Sequence, residues 1–196
     1  GWRALWSFEA ANPQELEPPP DLASKRVALA QAAAVLWRAP QLWHEAASWF
    51  AARGEGDAAR EVWRRGIEVM PEQPLLYLGL SRIEERLGRV AEACELLQRM
   101  LEAAPSPAGF VSRIDFAWRA QGVAEARRVF AAARRHPCCT WIIFAASARR
   151  EALRGGEEGV AVAIRIFELA LSKLPLCAAL VIEYVSFLRI RGELVT

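Results

Sequence analysis

Apolar and polar positions follow a helical period along this chain, and the pattern itself recurs. Glycines stand at Gly54, Gly88, Gly122 and Gly156, each 34 residues after the last, and Gly192 follows after 36. Twelve residues before each glycine stand Leu42, Leu76, Phe110, Phe144 and Leu180. Eleven before stand Trp43, Tyr77, Val111, Ala145 and Val181, and eight before stand Ala46, Leu80, Ile114, Ala148 and Tyr184. All are apolar or aromatic, and their offsets place them on one stripe of a helix. The glycine suits the C-terminal cap, where φ is often positive.

A second helix follows each glycine. Its anchors are Ala59 with Trp63, Ala93 with Leu97, Ala126 with Phe130, and Ala163 with Phe167. The spacing of four puts a small and a large residue on one face. Pro71, Pro105, Pro137 and Pro175 then stand seven or eight residues past the large anchor, where proline ends the helix. The first unit is looser. Trp2, Trp6 and Glu9 mark its first helix, Asn12 to Ser24 reads as a Pro-rich connector, and Ser24 caps a helix to about Trp37, before Pro40.

No such unit can bury its stripe alone, whereas stacked neighbours make one continuous core. The predicted fold class is all-α, an α-α superhelix (solenoid) of antiparallel helix pairs. We read residues 1–196 as one array, with repeats at about 1–40, 41–71, 74–105, 108–137 and 140–175 and the first helix of a sixth at 177–192. Trp43, Trp63, Phe130 and Phe167 are expected as buried anchors, each costing about 3–5 kcal/mol on replacement by Ala. The chain begins at Gly1 without Met and stops soon after Gly192, so it is expected to be a fragment of a longer protein. Apolar surface on the last helix is then expected to be exposed or paired.

Composition supports this picture and removes several function classes. The chain is 54% hydrophobic and 24% charged, a globular balance. A net charge of +2 gives no whole-chain drive toward nucleic acid, so direct RNA binding is not expected. No stretch of about 18 apolar residues offers a membrane span, and no signal peptide is seen. Cys94, Cys138, Cys139 and Cys177 lack Cys-x-x-Cys spacing and read as buried thiols, with Cys138 exposed in a turn.

No constellation of catalytic groups emerges, and neither an enzyme, a metal site nor a cofactor is expected. His44 and His136 lie in different repeats; His44 reads as a packing residue and His136 as a turn residue before Pro137. Cys138 and Cys139 are adjacent and poorly placed to chelate. Gly155 and Gly156 precede Glu157 and Glu158, which would repel phosphate and instead favour a helix N-terminus. Arginine pairs are interleaved with glutamates and read as solvated faces; the densest basic cluster is Arg127, Arg128, Arg134 and Arg135.

Two repeat families share this geometry, tetratricopeptide repeats and half-a-TPR (HAT) repeats. The former want a small residue twelve positions before the second-helix Ala. Here those positions hold Ala47, Ser81, Ile114 and Glu151, and the last two break the rule. HAT repeats carry aromatic and acidic residues in the first helix, as in Trp2/Trp6/Glu9, Tyr77/Glu84 and Phe110/Asp115/Phe116.

More extended segments are Asn12-Pro13 with Lys25-Arg26-Val27, then Pro40, Trp43 and Glu45-Ala46-Ala47. Phe116-Ala117-Trp118-Arg119-Ala120-Gln121-Gly122 leads into Arg128-Val129-Phe130, and Ile166-Phe167-Glu168-Leu169-Ala170-Leu171 precedes Tyr184 and Leu188. In order and spacing these resemble the HAT-repeat family of the large scaffold subunit of cleavage stimulation factor, in the C-terminal half of its HAT region. The resemblance implies a non-catalytic nuclear scaffold of pre-mRNA 3′-end cleavage and polyadenylation. Its partners would be other cleavage and polyadenylation subunits and a second copy of itself, with no membrane or small-molecule substrate. Tyr184, Phe187 and Arg191, on the final uncovered helix, are the candidate dimer or partner surface. The alternatives are a repeat scaffold of the spliceosome or ribosome assembly, a tetratricopeptide adaptor for a peptide tail, or a direct RNA-binding module.

Overall fold

The computed structural model describes residues 37–154 and 156–191, the side chain of Arg191 excluded. The expectations for Trp2, Trp6, Glu9, Ser24, Gly155 and Gly192 lie outside these residues. Among the described residues every regular element is helical. The chain divides into two compact units, 1–104 and 105–196.

In the first unit the helices are α1 (Pro40–Ala52), α2 (Gly56–Val69), α3 (Pro74–Arg86) and α4 (Val90–Ala103). Helix α1 packs on α2 and α3, α2 on α3, and α3 on α4. Pro40 and Pro74 occupy the first turn of α1 and α3, where the missing N–H costs nothing. Pro40 thus opens a helix, a role the sequence reading had not given it. Gly54 (φ 81°) and Gly88 (φ 75°) end α1 and α3. In each case the residue after the glycine donates its N–H to the carbonyl five positions back, Glu55 to Phe50 and Arg89 to Glu84. This is the left-handed C-cap anticipated from the glycine period.

Two close approaches fix the first unit. Trp63 of α2 lies against Gly79 of α3, where an added Cβ would come within 2.4 Å of the indole Nε1. Gly66 of α2 meets the Trp43 side chain at 3.2 Å in the same sense. The first-helix stripe Leu42, Trp43, Ala46, Leu76, Tyr77 and Leu80 is buried, as are Ala59, Trp63, Ala93 and Leu97.

The second unit contains α5 (Pro107–Phe116), α6 (Val123–Ala133), α7 (Trp141–Leu153), α8 (Gly156–Lys173) and α9 (Ala178–Arg191). Ser106 caps α5 by accepting the Gly109 N–H at 3.1 Å. Helix α5 then widens into a π turn, Ala117–Gln121, closed by Gly122 N–H donating to the Ala117 carbonyl at 2.8 Å. A uniform α-helix had been expected there. Phe144, Ala148, Ala163, Phe167 and Leu180 form the buried core.

Four expected core positions depart from the sequence reading, and two of them, Val111 and Tyr184 of the first-helix stripe, are half-buried. Phe130 is only half-buried, set edge-on against Phe144 at 5.7 Å rather than enclosed. Val181 is exposed, on a helix whose main packing partners among the described residues are α7 and α8.

The small-residue positions explain how a helix pair closes without a small residue in its first helix. Ala47, Ser81, Ile114 and Glu151 are all buried. Where Glu151 fills the place, the facing helix yields instead: a Cβ on Gly159 would lie 2.6 Å from the Glu151 carbonyl oxygen. The close contact has moved from one helix to its partner.

Candidate functional site

Several charged side chains are consumed by ion pairs that join one helix to another. Near the end of α3, Glu84 is 1% exposed. Its Oε1 accepts from Arg60 Nε at 2.8 Å, and Arg64 and Arg89 reach the carboxylate at 3.7 and 3.6 Å. In the second unit Glu151 plays the same part, accepting from Arg127 Nε at 2.6 Å and Nη2 at 2.8 Å. Arg150 closes on Asp115 at 2.6 Å. The hydrogen bond to each carboxylate holds the proton of Arg60, Arg127 and Arg150 still more firmly than usual. Arg113 is buried, reaching Gln121 at 2.8 Å and Glu125 at 3.4 Å, so the π turn delivers Gln121 to it. Arg149 pairs with Glu183 of α9.

The four residues of the expected basic cluster therefore meet different fates. Arg127 is committed to Glu151, and Arg128 to Glu125 at 2.7 Å. Arg134 is half-buried and its carbonyl receives Lys173 Nζ at 3.4 Å, while Arg135 is exposed. The structure does not assemble them into one uncompensated patch. This agrees with the reading of arginines interleaved with glutamates; Glu125 stands three residues from Arg128, whereas the Arg127 partner Glu151 lies 24 residues away, beyond local spacing.

Helix α9 turns its aromatic residues inward. Tyr184 stacks on Phe167 with ring centroids 4.9 Å apart, and Phe187 packs on the same ring at 5.3 Å. Both are half-buried. As an outward surface they are displaced by their neighbours: Ile182 is 66% exposed and Ile190 83%, with Val181 and Val185 also exposed. Aromatic residues are the usual anchors of an interface, but here the core stripe claims them first. Arg191 is the last residue of α9. An open, mainly apolar groove of about 390 Å³ runs between α7 and α9, bordered by Leu153, Phe187 and Ile190.

A second groove, of about 260 Å³, lies in the first unit between α1 and α3, with Trp63 of α2 as its floor. His44 Nδ1 accepts the Trp63 indole N–H at 3.4 Å, which places the imidazole proton on Nε2. Burial, then the nearby Arg82 charge, pushes the His44 pKa down, with Glu45 opposing. His44 is thus a partly buried packing residue with one donor left over. No feature of the sequence pattern marked this groove.

His136 occupies the turn after α6. Its Nδ1 accepts the Cys138 N–H at 3.2 Å and lies 2.9 Å from the Cys138 sulfur, while its ring packs on Phe110 at 5.1 Å. Cys138 is half-buried rather than exposed, and burial pushes the Cys139 thiol pKa up. Among the described residues no three His, Cys, Asp or Glu side chains lie close enough together to hold a metal ion. No described helix is long and apolar enough to cross a membrane.

A crystal structure of a tetratricopeptide repeat protein from Parabacteroides merdae aligns over 96% of this chain and 74% of its own, with a TM-score of 0.51 and 14% identity. The likeness is one of fold. Among curated proteins, the chain is 30% identical over 147 residues to cleavage stimulation factor subunit 77 of Arabidopsis thaliana, covering 75% of this chain and 20% of that protein. It is 25% identical over 265 residues to the mRNA 3′-end-processing protein RNA14 of Cryptococcus neoformans, covering 95% of this chain and 25% of that one. The chain thus spans a fifth to a quarter of the length of these relatives. Residues 1–194 match the Suppressor of forked protein (Suf) family. Its helix pairs, glycine caps and buried Arg–Glu closures are the local anatomy of an α-α solenoid, and the chain belongs to the Suf family.

Proposed function

We propose that this chain is a non-catalytic scaffold segment of the nuclear machinery that cleaves and polyadenylates pre-mRNA, holding other processing subunits and a second copy of itself. The observation that carries the reading is the family match over 1–194, together with relatives named as a cleavage stimulation factor subunit and a 3′-end-processing protein. On this reading the 196 residues form one array with the repeat bounds given above. Its work is recognition by surface shape: His44 is committed to Trp63, and Arg60, Arg113, Arg127 and Arg150 are tied to carboxylates, which argues against bond chemistry and against a continuous basic track for an RNA backbone. Self-association would draw on the exposed apolar residues of α9, Val181, Ile182, Val185 and Ile190.

The test is affinity purification of the tagged full-length protein from nuclear extract, with identification of what co-purifies. Recovery of cleavage and polyadenylation subunits supports the reading; spliceosomal or ribosome-assembly proteins in their place move it to another machine. Light scattering on the purified chain, with Ile182→Asp as comparison, tests the dimer. A monomer at all concentrations removes self-association from the proposal.

A further inference from the structure

We propose that the groove between α1 and α3 receives an acidic, extended segment of a partner polypeptide. The inference deepens the scaffold reading and rests on it. Arg82 and Arg86 stand four residues apart on α3, both line the groove, and both are exposed. Among the described residues neither has an ion pair, in a chain where Arg60, Arg127, Arg149 and Arg150 each close on a carboxylate. Four helical residues rise about 6 Å, and alternate side chains of an extended strand repeat every 6.6 Å or so. Carboxylates at alternate positions of such a strand would therefore meet both guanidiniums. His44 adds a neutral Nε2–H donor on the opposite wall, and Ser48 a hydroxyl.

A polypeptide fits better than single-stranded RNA. Unpaired bases need an exposed aromatic face on which to stack. The groove's one large aromatic, Trp63, is 4% exposed, with its indole against Gly79 and its N–H on His44. What remains is a groove with Trp63 at its floor and the cations Arg82 and Arg86 along one wall.

The test is fluorescence anisotropy of a labelled short peptide alternating Glu and Ala, titrated with the whole chain. We expect saturable binding that Arg82→Glu with Arg86→Glu weakens at least about tenfold, the worth of a lost charge-assisted hydrogen bond. Arg135→Glu, exposed in the other unit, and a peptide with Gln for Glu serve as controls. Binding lost for the Gln peptide and unchanged by Arg135→Glu supports the proposal. No binding, or equal loss on Arg135→Glu, overturns it. Tighter capture of an oligouridylate, lost in the same double variant, overturns it in favour of nucleic acid. If processing factors co-purify while the peptide fails to bind, the groove assignment falls and the scaffold reading stands. If the peptide binds while no processing factor co-purifies, the scaffold reading falls instead.

Discussion

Arg127 and Glu151, 24 residues apart, join α6 to α7 through two hydrogen bonds of 2.6 and 2.8 Å, and Arg60 spans the same 24 residues to Glu84. A second helix in each unit thus reaches forward to a carboxylate buried at the end of the next first helix. Glu151 is 2% exposed, so removing Arg127 strands a carboxylate without its donors. Arg127→Met should cost about 1–3 kcal/mol in chemical denaturation. Replacing both partners, Arg127→Met with Glu151→Leu, should recover most of that loss, because the buried charge then disappears. A single variant as stable as the parent would show the pair to be ornamental.

Gly79→Ala should destabilise the chain even though alanine is the better helix former. The gain in helix propensity is at most about 1 kcal/mol. Against it, the new Cβ would stand 2.4 Å from Trp63 Nε1, a position it can take only if the indole shifts. Overpacking of this kind costs about 1–3 kcal/mol. Trp63→Phe should relieve the clash, so the two changes together should be less harmful than their separate sum. Additive effects would mean that the indole is not what keeps residue 79 a glycine.

Much of this fold was legible because each 34-residue unit repeats its own constraints. The glycines at 54, 88, 122 and 156 all adopt positive φ, and Leu42, Leu76, Phe110, Phe144 and Leu180 are all buried, twelve residues before each glycine. What failed to show was whatever depends on a neighbouring helix. Glu151 reads as a violation of the small-residue rule until Gly159 is seen to give way on the facing helix. The π turn at Ala117–Gln121 leaves only a slight trace, Ala126 standing four residues after its glycine where Ala59 and Ala93 stand five after theirs. Tyr184 and Phe187 look available on a last helix, yet Phe167 draws both inward. The groove at Arg82 and Arg86 was hidden for a different reason: only coordinates reveal which arginines lack acids.

Equal roles in the repeat therefore do not mean equal energies. Phe167 is fully enclosed and touches Tyr184 and Phe187, whereas Phe130 occupies the matching position half-exposed. Phe167→Ala should cost about 3–5 kcal/mol. Phe130→Ala should cost clearly less, because part of the ring already meets water. Denaturant midpoints of the two variants, compared at constant slope, check the order. The reverse order would place Phe130 in the core after all.

Stability should also fall in mild acid through His44. Its pKa is lowered in the folded chain by burial and by Arg82, while an unfolded imidazole titrates near 6.5. The unfolded state consequently takes up the proton first as pH falls, so the contribution of neutral His44 is full above about pH 6.5 and declines below it. The geometry gives the same sign: a proton on Nδ1 would confront the Trp63 N–H that it now accepts. His44→Gln keeps a hydrogen-bond acceptor in place and removes the titration. The parent should lose more stability than this variant between about pH 7.5 and pH 5. The rest of the chain is common to both proteins, so the difference between the two curves isolates the imidazole, and parallel curves would clear His44 of any part in the acid response.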